Sequence, residues 1–209
     1  MERRLAAIML TDIVGYSRLM VLDEAGTITR QKLHRKSIIE PSITARGGRI
    51  IKSTGDGVLV EFASVVDAVE CAVKVLEAIA ETEADIPADQ RMDYRIGINL
   101  GDIVIDGDDI LGDGVNVAAR LEGLAKPGGL CISGTVHDHI AGKTDVHFED
   151  AGEQALKNLP DRIRVWHWRI DADRRTALFR PALPDKPSIA VLPFDNLSGS
   201  RSAPTFLPK

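Results

Sequence analysis

Arg49-Ile50-Ile51-Lys52-Ser53-Thr54-Gly55-Asp56-Gly57-Val58-Leu59-Val60-Glu61-Phe62 places two short apolar runs on either side of Thr-Gly-Asp-Gly. Asp-Gly between such runs is a hairpin signal, so the stretch predicts antiparallel strands over 49–53 and 58–62 with Asp56 at the tip. Ser64 then opens a capping box with Asp67. Val65, Val66, Val69, Ala72, Val73, Leu76, Ile79 and Ala80 follow at helical spacing and give one apolar face.

Upstream, residues 4–12 form an apolar run ending at Thr11-Asp12 and then Gly15, as a buried strand entering a loop would. Ser17 to Ala45 reads as two successive helices, with Pro41 marking a break or kink and Gly47-Gly48 the end. Downstream, Tyr94 to Leu100 and Asp102 to Ile105 read as a strand pair pivoting at Gly101. Residues 115–125 read as a helix, Gly129 to Ile132 as a strand, Thr135 to Ala141 as a helix and Arg162 to Arg169 as a last strand. This order predicts an α+β, ferredoxin-like sandwich: a mainly antiparallel sheet with helices on one face.

The chain has 209 residues, 44% of them hydrophobic, enough for a real core without disulfide or metal staples. A formal charge of −5 with no dense basic stripe argues against nucleic acid as a partner. The run from Leu5 to Leu10 is too short for a secretory or membrane segment, so no membrane association is expected. Cys71 and Cys131 lie in apolar segments and match neither a disulfide framework nor zinc spacing, which points to a reducing cytoplasm. Pro181, Pro184 and Pro187 mark 171–187 as an extended linker, and Ser188 to Leu192 reads as an isolated apolar strand before Pro193 and a polar, Ser-rich end.

Three apparent motifs fail. Gly142-Lys143-Thr144 ends like a phosphate-binding loop, but His137 stands where its first glycine belongs. Gly112-Asp113-Gly114 begins a dinucleotide fingerprint that stops at Val117. His137 and His139, two apart, cannot share a helical face and read as surface histidines. What remains is Asp12 at the end of an apolar strand and Asp56 on a hairpin that can lie beside it. Two converging carboxylates suit a hard divalent cation and phosphoryl chemistry. Each also has a plain structural reading, Asp12 as a helix cap and Asp56 as a turn residue.

Asp12-Ile13-Val14-Gly15-Tyr16-Ser17, Lys52-Ser53-Thr54-Gly55-Asp56, Arg95-Ile96-Gly97-Ile98, and Asp109-Ile110-Leu111-Gly112 running into Val115-Asn116-Val117-Ala118-Ala119-Arg120 resemble, in order, the signatures of class III nucleotidyl cyclases. The resemblance covers roughly residues 3–170 and makes 1–170 the expected catalytic domain. Leu10 stands where an aromatic is usual, and Asn99-Leu100 replace a frequent His-Thr. By this resemblance Asp12 and Asp56, helped by the Ile13 carbonyl, hold two Mg²⁺ or Mn²⁺ ions. Asn116 orients the ribose and Arg120 stabilises the transition state, while Arg95 and Lys157 neutralise the triphosphate. Asn158 replaces a usual glycine beside Lys157.

The resemblance also makes Lys52 and Asp109 the base-reading pair. A lysine donor and a carboxylate acceptor complement N1 and N6 of adenine, whereas guanine needs the reverse polarity. The implied activity is an adenylate cyclase acting on ATP as a homodimer with shared sites. The alternative is a catalytically weak, nucleotide-sensing or protein-interaction module on the same fold. A diguanylate cyclase is disfavoured because the hairpin reads Thr54-Gly55-Asp56-Gly57-Val58 in place of a Gly-Gly-Asp-Glu-Phe-like turn. Lys186 to Gly199 resembles the start of a second domain often joined to bacterial cyclases, which makes 188–209 an expected truncated start of such a domain, with a disordered tail as the alternative.

Overall fold

The computed structural model describes residues 2–156 and 162–170. The linker and tail expected over 171–209 lie outside the described residues, as does Lys157. In chain order the first elements are β1 (Glu2–Ile13), α1 (Tyr16–Leu22), α2 (Glu24–His34), a π-helical turn (Arg35–Ile39) and α3 (Glu40–Ala45). The hairpin β2 (Arg49–Ser53) and β3 (Val58–Phe62) follows, then α4 (Val65–Thr82), β4 (Tyr94–Asp106), β5 (Asp109–Leu111) and α5 (Asp113–Leu124). The last elements are β6 (Gly129–Ser133), α6 (Gly134–Ile140), β7 (Glu149–Ala155) and β8 (Arg162–Arg169). Among the described residues no helix is long and apolar enough to cross a membrane.

The strands form one sheet in the order β2-β3-β1-β4-β6-β8-β7, with β5 paired to β4. Every pairing is antiparallel except β4 with β6. The α+β sandwich and its mainly antiparallel sheet are therefore as expected. Alternation along β1 sorts the two faces: Ala7, Met9 and Ile13 join the large core under α1, α3, α4 and α6, while Ala6 and Ile8 pack with Ala118 of α5 on the other side. Most helices thus cover one face, and α5 covers part of the opposite one.

The seat of α5 is cut by Gly97. A Cβ there would lie 2.2 Å from the Glu122 amide nitrogen and 2.4 Å from the Ala118 carbonyl oxygen, both backbone atoms that no rotamer can move. Gly97→Ala is expected to cost roughly 1–3 kcal/mol of stability, as overpacking does. Urea unfolding of the variant measures it, and an unchanged midpoint would mean that α5 does not sit on β4 this closely.

The strand pair expected around Gly101 is one continuous strand. β4 runs unbroken for 13 residues and pairs with β1 from Tyr94 to Ile105. Gly101 serves a close approach instead of a pivot, since its Cβ would lie 3.1 Å from the Gly114 Cα at the start of α5. Of the break or kink expected at Pro41, the structure shows no break. Pro41 lies inside a helical run from Glu24 to Ala45, just after the π turn, in which the Glu40 amide reaches back to the Arg35 carbonyl. The hairpin and α4 match the sequence pattern. Ser64 Oγ accepts from the Asp67 amide, and Ala68, Val69, Ala72, Val75, Leu76 and Ile79 are buried.

Candidate active site

Asp12 ends the buried run of β1, on the same face as Ala6 and Ile8, directly opposite Arg95 of β4. That cross-strand register brings the Arg95 guanidinium onto one carboxylate oxygen, with Nε at 2.9 Å and Nη2 at 2.6 Å from Asp12 Oδ2. The β2–β3 hairpin delivers Asp56 to the same place, because β3 is the neighbour of β1 on its other edge. The Asp56 carboxyl is raised above the usual carboxylate range, first by burial and then by the nearby charge of Asp12. Hydrogen bonds from its own amide and from that of Ile13 oppose the shift.

A third carboxylate, absent from the sequence-based site, faces this pair. Glu122 of α5 lies 2.5 Å from Arg95 Nε, whose single hydrogen already points to Asp12. Burial pushes Glu122 up to about 7, Arg95 opposes the rise, and Asp12 and Asp56 add to it. Arg95 is thus the cation of an acidic corner, tied to Asp12 and Glu122 in the free chain. Among the described residues no three His, Cys, Asp or Glu side chains are gathered to hold a metal. The available ligands are two carboxylates and backbone carbonyls, a hard-oxygen set that suits Mg²⁺, which keeps waters and substrate oxygens in its shell.

Lys52 and Asp109, 57 residues apart, meet at the surface: Nζ lies 2.6 Å from Oδ2. Lys52 comes from β2 and Asp109 from the start of β5, where the Ile110 amide also donates to its carboxylate at 2.8 Å. Lys52 holds the Asp109 carboxyl below its ordinary value. On α5, Gly114, Val117, Ala118 and Leu121 are buried, which leaves Asn116 and Arg120, one turn apart, on the exposed side. Neither side chain has a hydrogen bond or ion pair among the described residues. Asn99, the departure from His noted above, is buried, and its amide donates to the Gly114 carbonyl at 3.2 Å, pinning the N-terminus of α5.

The geometry therefore gathers Asp12, Asp56, Arg95 and Glu122 in one corner and Lys52 with Asp109 in a second. Ile13 is buried beside the first, and Asn116 and Arg120 are exposed with no side-chain partner among the described residues. His137 lies flat against Trp166 with ring centroids 3.6 Å apart, and His139 Nδ1 lies 2.8 Å from the Thr135 carbonyl, so neither is placed as a metal ligand. Cys71 and Cys131 are free and buried, and burial pushes both thiols up to about 12.

Residues 3–169 match the family described as the adenylate and guanylate cyclase catalytic domain. A Rhizobium meliloti (strain 1021) protein named "Putative adenylate cyclase 3" is 49% identical over 203 residues, which are 95% of this chain and 35% of that protein. The crystal structure of an adenylate/guanylate cyclase/hydrolase from Silicibacter pomeroyi superposes with a TM-score of 0.78 at 47% identity, covering 81% of this chain and 99% of that one. The adenylyl cyclase CyaB from P. aeruginosa shares the fold, with a TM-score of 0.69 at 24% identity over 83% of this chain and 97% of its own. The chain spans about a third of the length of its Rhizobium relative. With the ordered motifs, the fold and the matched span in agreement, the chain belongs to the adenylate and guanylate cyclase catalytic domain family.

Proposed function

We propose that this chain is an adenylate cyclase that converts ATP to 3′,5′-cyclic AMP and pyrophosphate at sites shared between two copies of itself. The observation that supports ATP over GTP is the Lys52–Asp109 pair, an ammonium donor and a carboxylate acceptor held 2.6 Å apart on an accessible surface. Facing adenine, Lys52 donates to N1 and Asp109 accepts from the N6 amino group. Facing guanine, both polarities are wrong.

Asp12 and Asp56 would hold two Mg²⁺ or Mn²⁺ ions with the Ile13 carbonyl. Bound there, such ions supply activation of the ribose 3′-hydroxyl and offset charge on the attacking and leaving oxygens. Arg95 and Lys157 neutralise the triphosphate, Asn116 orients the ribose, and Arg120 stabilises charge developing around the α-phosphate. Asn116 and Arg120 are exposed and have no side-chain partner among the described residues, which supports their reaching into a site whose aspartates belong to a second copy. ATP as substrate and two free buried thiols fit a cytoplasmic protein.

Exchanging the polarity of the base-reading pair tests the substrate. Lys52 and Asp109 are both exposed, so Lys52→Glu with Asp109→Cys is expected to leave the fold intact. The ratio of GTP to ATP turnover should rise by roughly a hundredfold or more, because mismatched polar groups discriminate on that scale. The measurement is kcat/KM with each nucleotide, and an unaltered ATP preference would remove these two residues from base recognition.

A further inference from the structure

We infer that Gln31, fixed by Tyr16, is a positioning residue that holds the Asp56 turn in place beside Asp12. The inference rests on the metal role proposed above for those two aspartates. The turn is short and exposed at Thr54 and Gly55, and it is closed by one backbone bond from the Thr54 amide to the Gly57 carbonyl. Its downstream end is anchored, since the Val58 amide donates to the buried Thr11 hydroxyl at 3.1 Å. Its tip has a different support, and that support comes from α2.

Gln31 Nε2 is shared between the Asp56 carbonyl at 3.3 Å and the Gly55 carbonyl at 3.5 Å. Both are pure acceptors, so the amide nitrogen must face them and Oε1 must face the other way. There the Tyr16 hydroxyl donates to Oε1 at 2.9 Å, which locks the amide in that sense. The helix itself is held from behind: Arg30 lies 2.9 Å and His34 3.3 Å from Glu83, which is 2% exposed. Gln31 therefore reaches the turn from an immobilised support. This matters because Asp56 and Asp12 are like charges in a partly buried corner, and their repulsion acts to swing the tip outward. Two carbonyls clamped to α2 oppose that swing in the free chain.

The test uses Gln31→Leu, which keeps size and removes the donor, and Tyr16→Phe, which removes only the hydroxyl. Both should raise the Mn²⁺ or Mg²⁺ concentration needed for half-maximal activity, Gln31→Leu by roughly three- to tenfold, while activity at saturating metal changes little. Tyr16→Phe should have a smaller effect that disappears in the Gln31→Leu background, since the two act as one relay. A second readout needs neither metal nor nucleotide: exchange of the Thr54 and Val58 amides, whose hydrogen bonds close and anchor the turn, should speed up in both variants while α4 amides stay as in the wild type. Unchanged exchange in the turn overturns the inference. Faster exchange with an unmoved metal dependence upholds the clamp and instead sinks the metal role of Asp56.

Discussion

Equal amounts of the Asp12→Asn and Asn116→Ala proteins, each expected to be nearly inactive alone, should recover about a quarter of the wild-type cyclase rate when mixed. If the sites are shared, random exchange makes half of the dimers mixed, and each mixed dimer then has one site with both lesions and one with neither. The expectation follows from sites in which one subunit gives Asp12 and Asp56 and the other gives Lys52, Asp109, Asn116 and Arg120. The outward-facing Asn116, without a side-chain partner among the described residues, is what such an arrangement asks of this surface. Recovery should rise with total protein concentration as dimers assemble. A mixture that exchanges subunits in a tagged pull-down yet stays as inactive as its components would rule out shared sites.

Asp12→Asn and Asp56→Asn should each lower metal-dependent turnover by at least about a hundredfold, since a lost ligand charge removes ion binding and hydroxyl activation together. Their stabilities should part company with their activities. Asp56→Asn takes a like charge away from Asp12, so its thermal midpoint should hold or rise. Asp12→Asn breaks the paired contact with Arg95 and leaves that guanidinium on Glu122. Turnover with Mg²⁺ and Mn²⁺, read beside thermal unfolding, separates a lost site from a lost fold. Near-normal turnover in either variant would mean that the carboxylate pair is not the metal site.

The parts of the fold that the sequence made legible are those with one clean period. Alternation and Asp-Gly gave the hairpin, and the 3.6-residue repeat with Ser64 gave α4. β7 was missed because Glu149 to Ala155 is a polar edge strand with no apolar face to reveal it. β5, three residues long, was hidden inside an acidic loop. Convergence of Asp12 and Asp56 was readable because a hairpin beside the first strand puts its tip near that strand's end. The bond from Arg95 to Asp12 was not, because it depends on cross-strand register, which no local pattern encodes. Glu122 did leave a signal: it follows Ala118 by one turn on α5 and precedes Ala125 just past the helix end, and a carboxylate among small buried residues is a charge drawn inward.

The π turn at Arg35–Ile39 amounts to one residue more than a straight α-helix needs, an angular offset of about 100° between the segments on either side of it. Thr27 and His34 are buried seven residues apart, Ile39 comes five after His34, and Ile43 four after that. The five-residue step is the signature of the offset. Without it, a helix phased to bury Ile39 and Ile43 would turn His34 off the core and carry Gln31 round with it. The inserted residue sets the dihedral clocking of the helix: it lets the C-terminal half follow the hydrophobic core while the N-terminal half is indexed to the turn that bears Asp56.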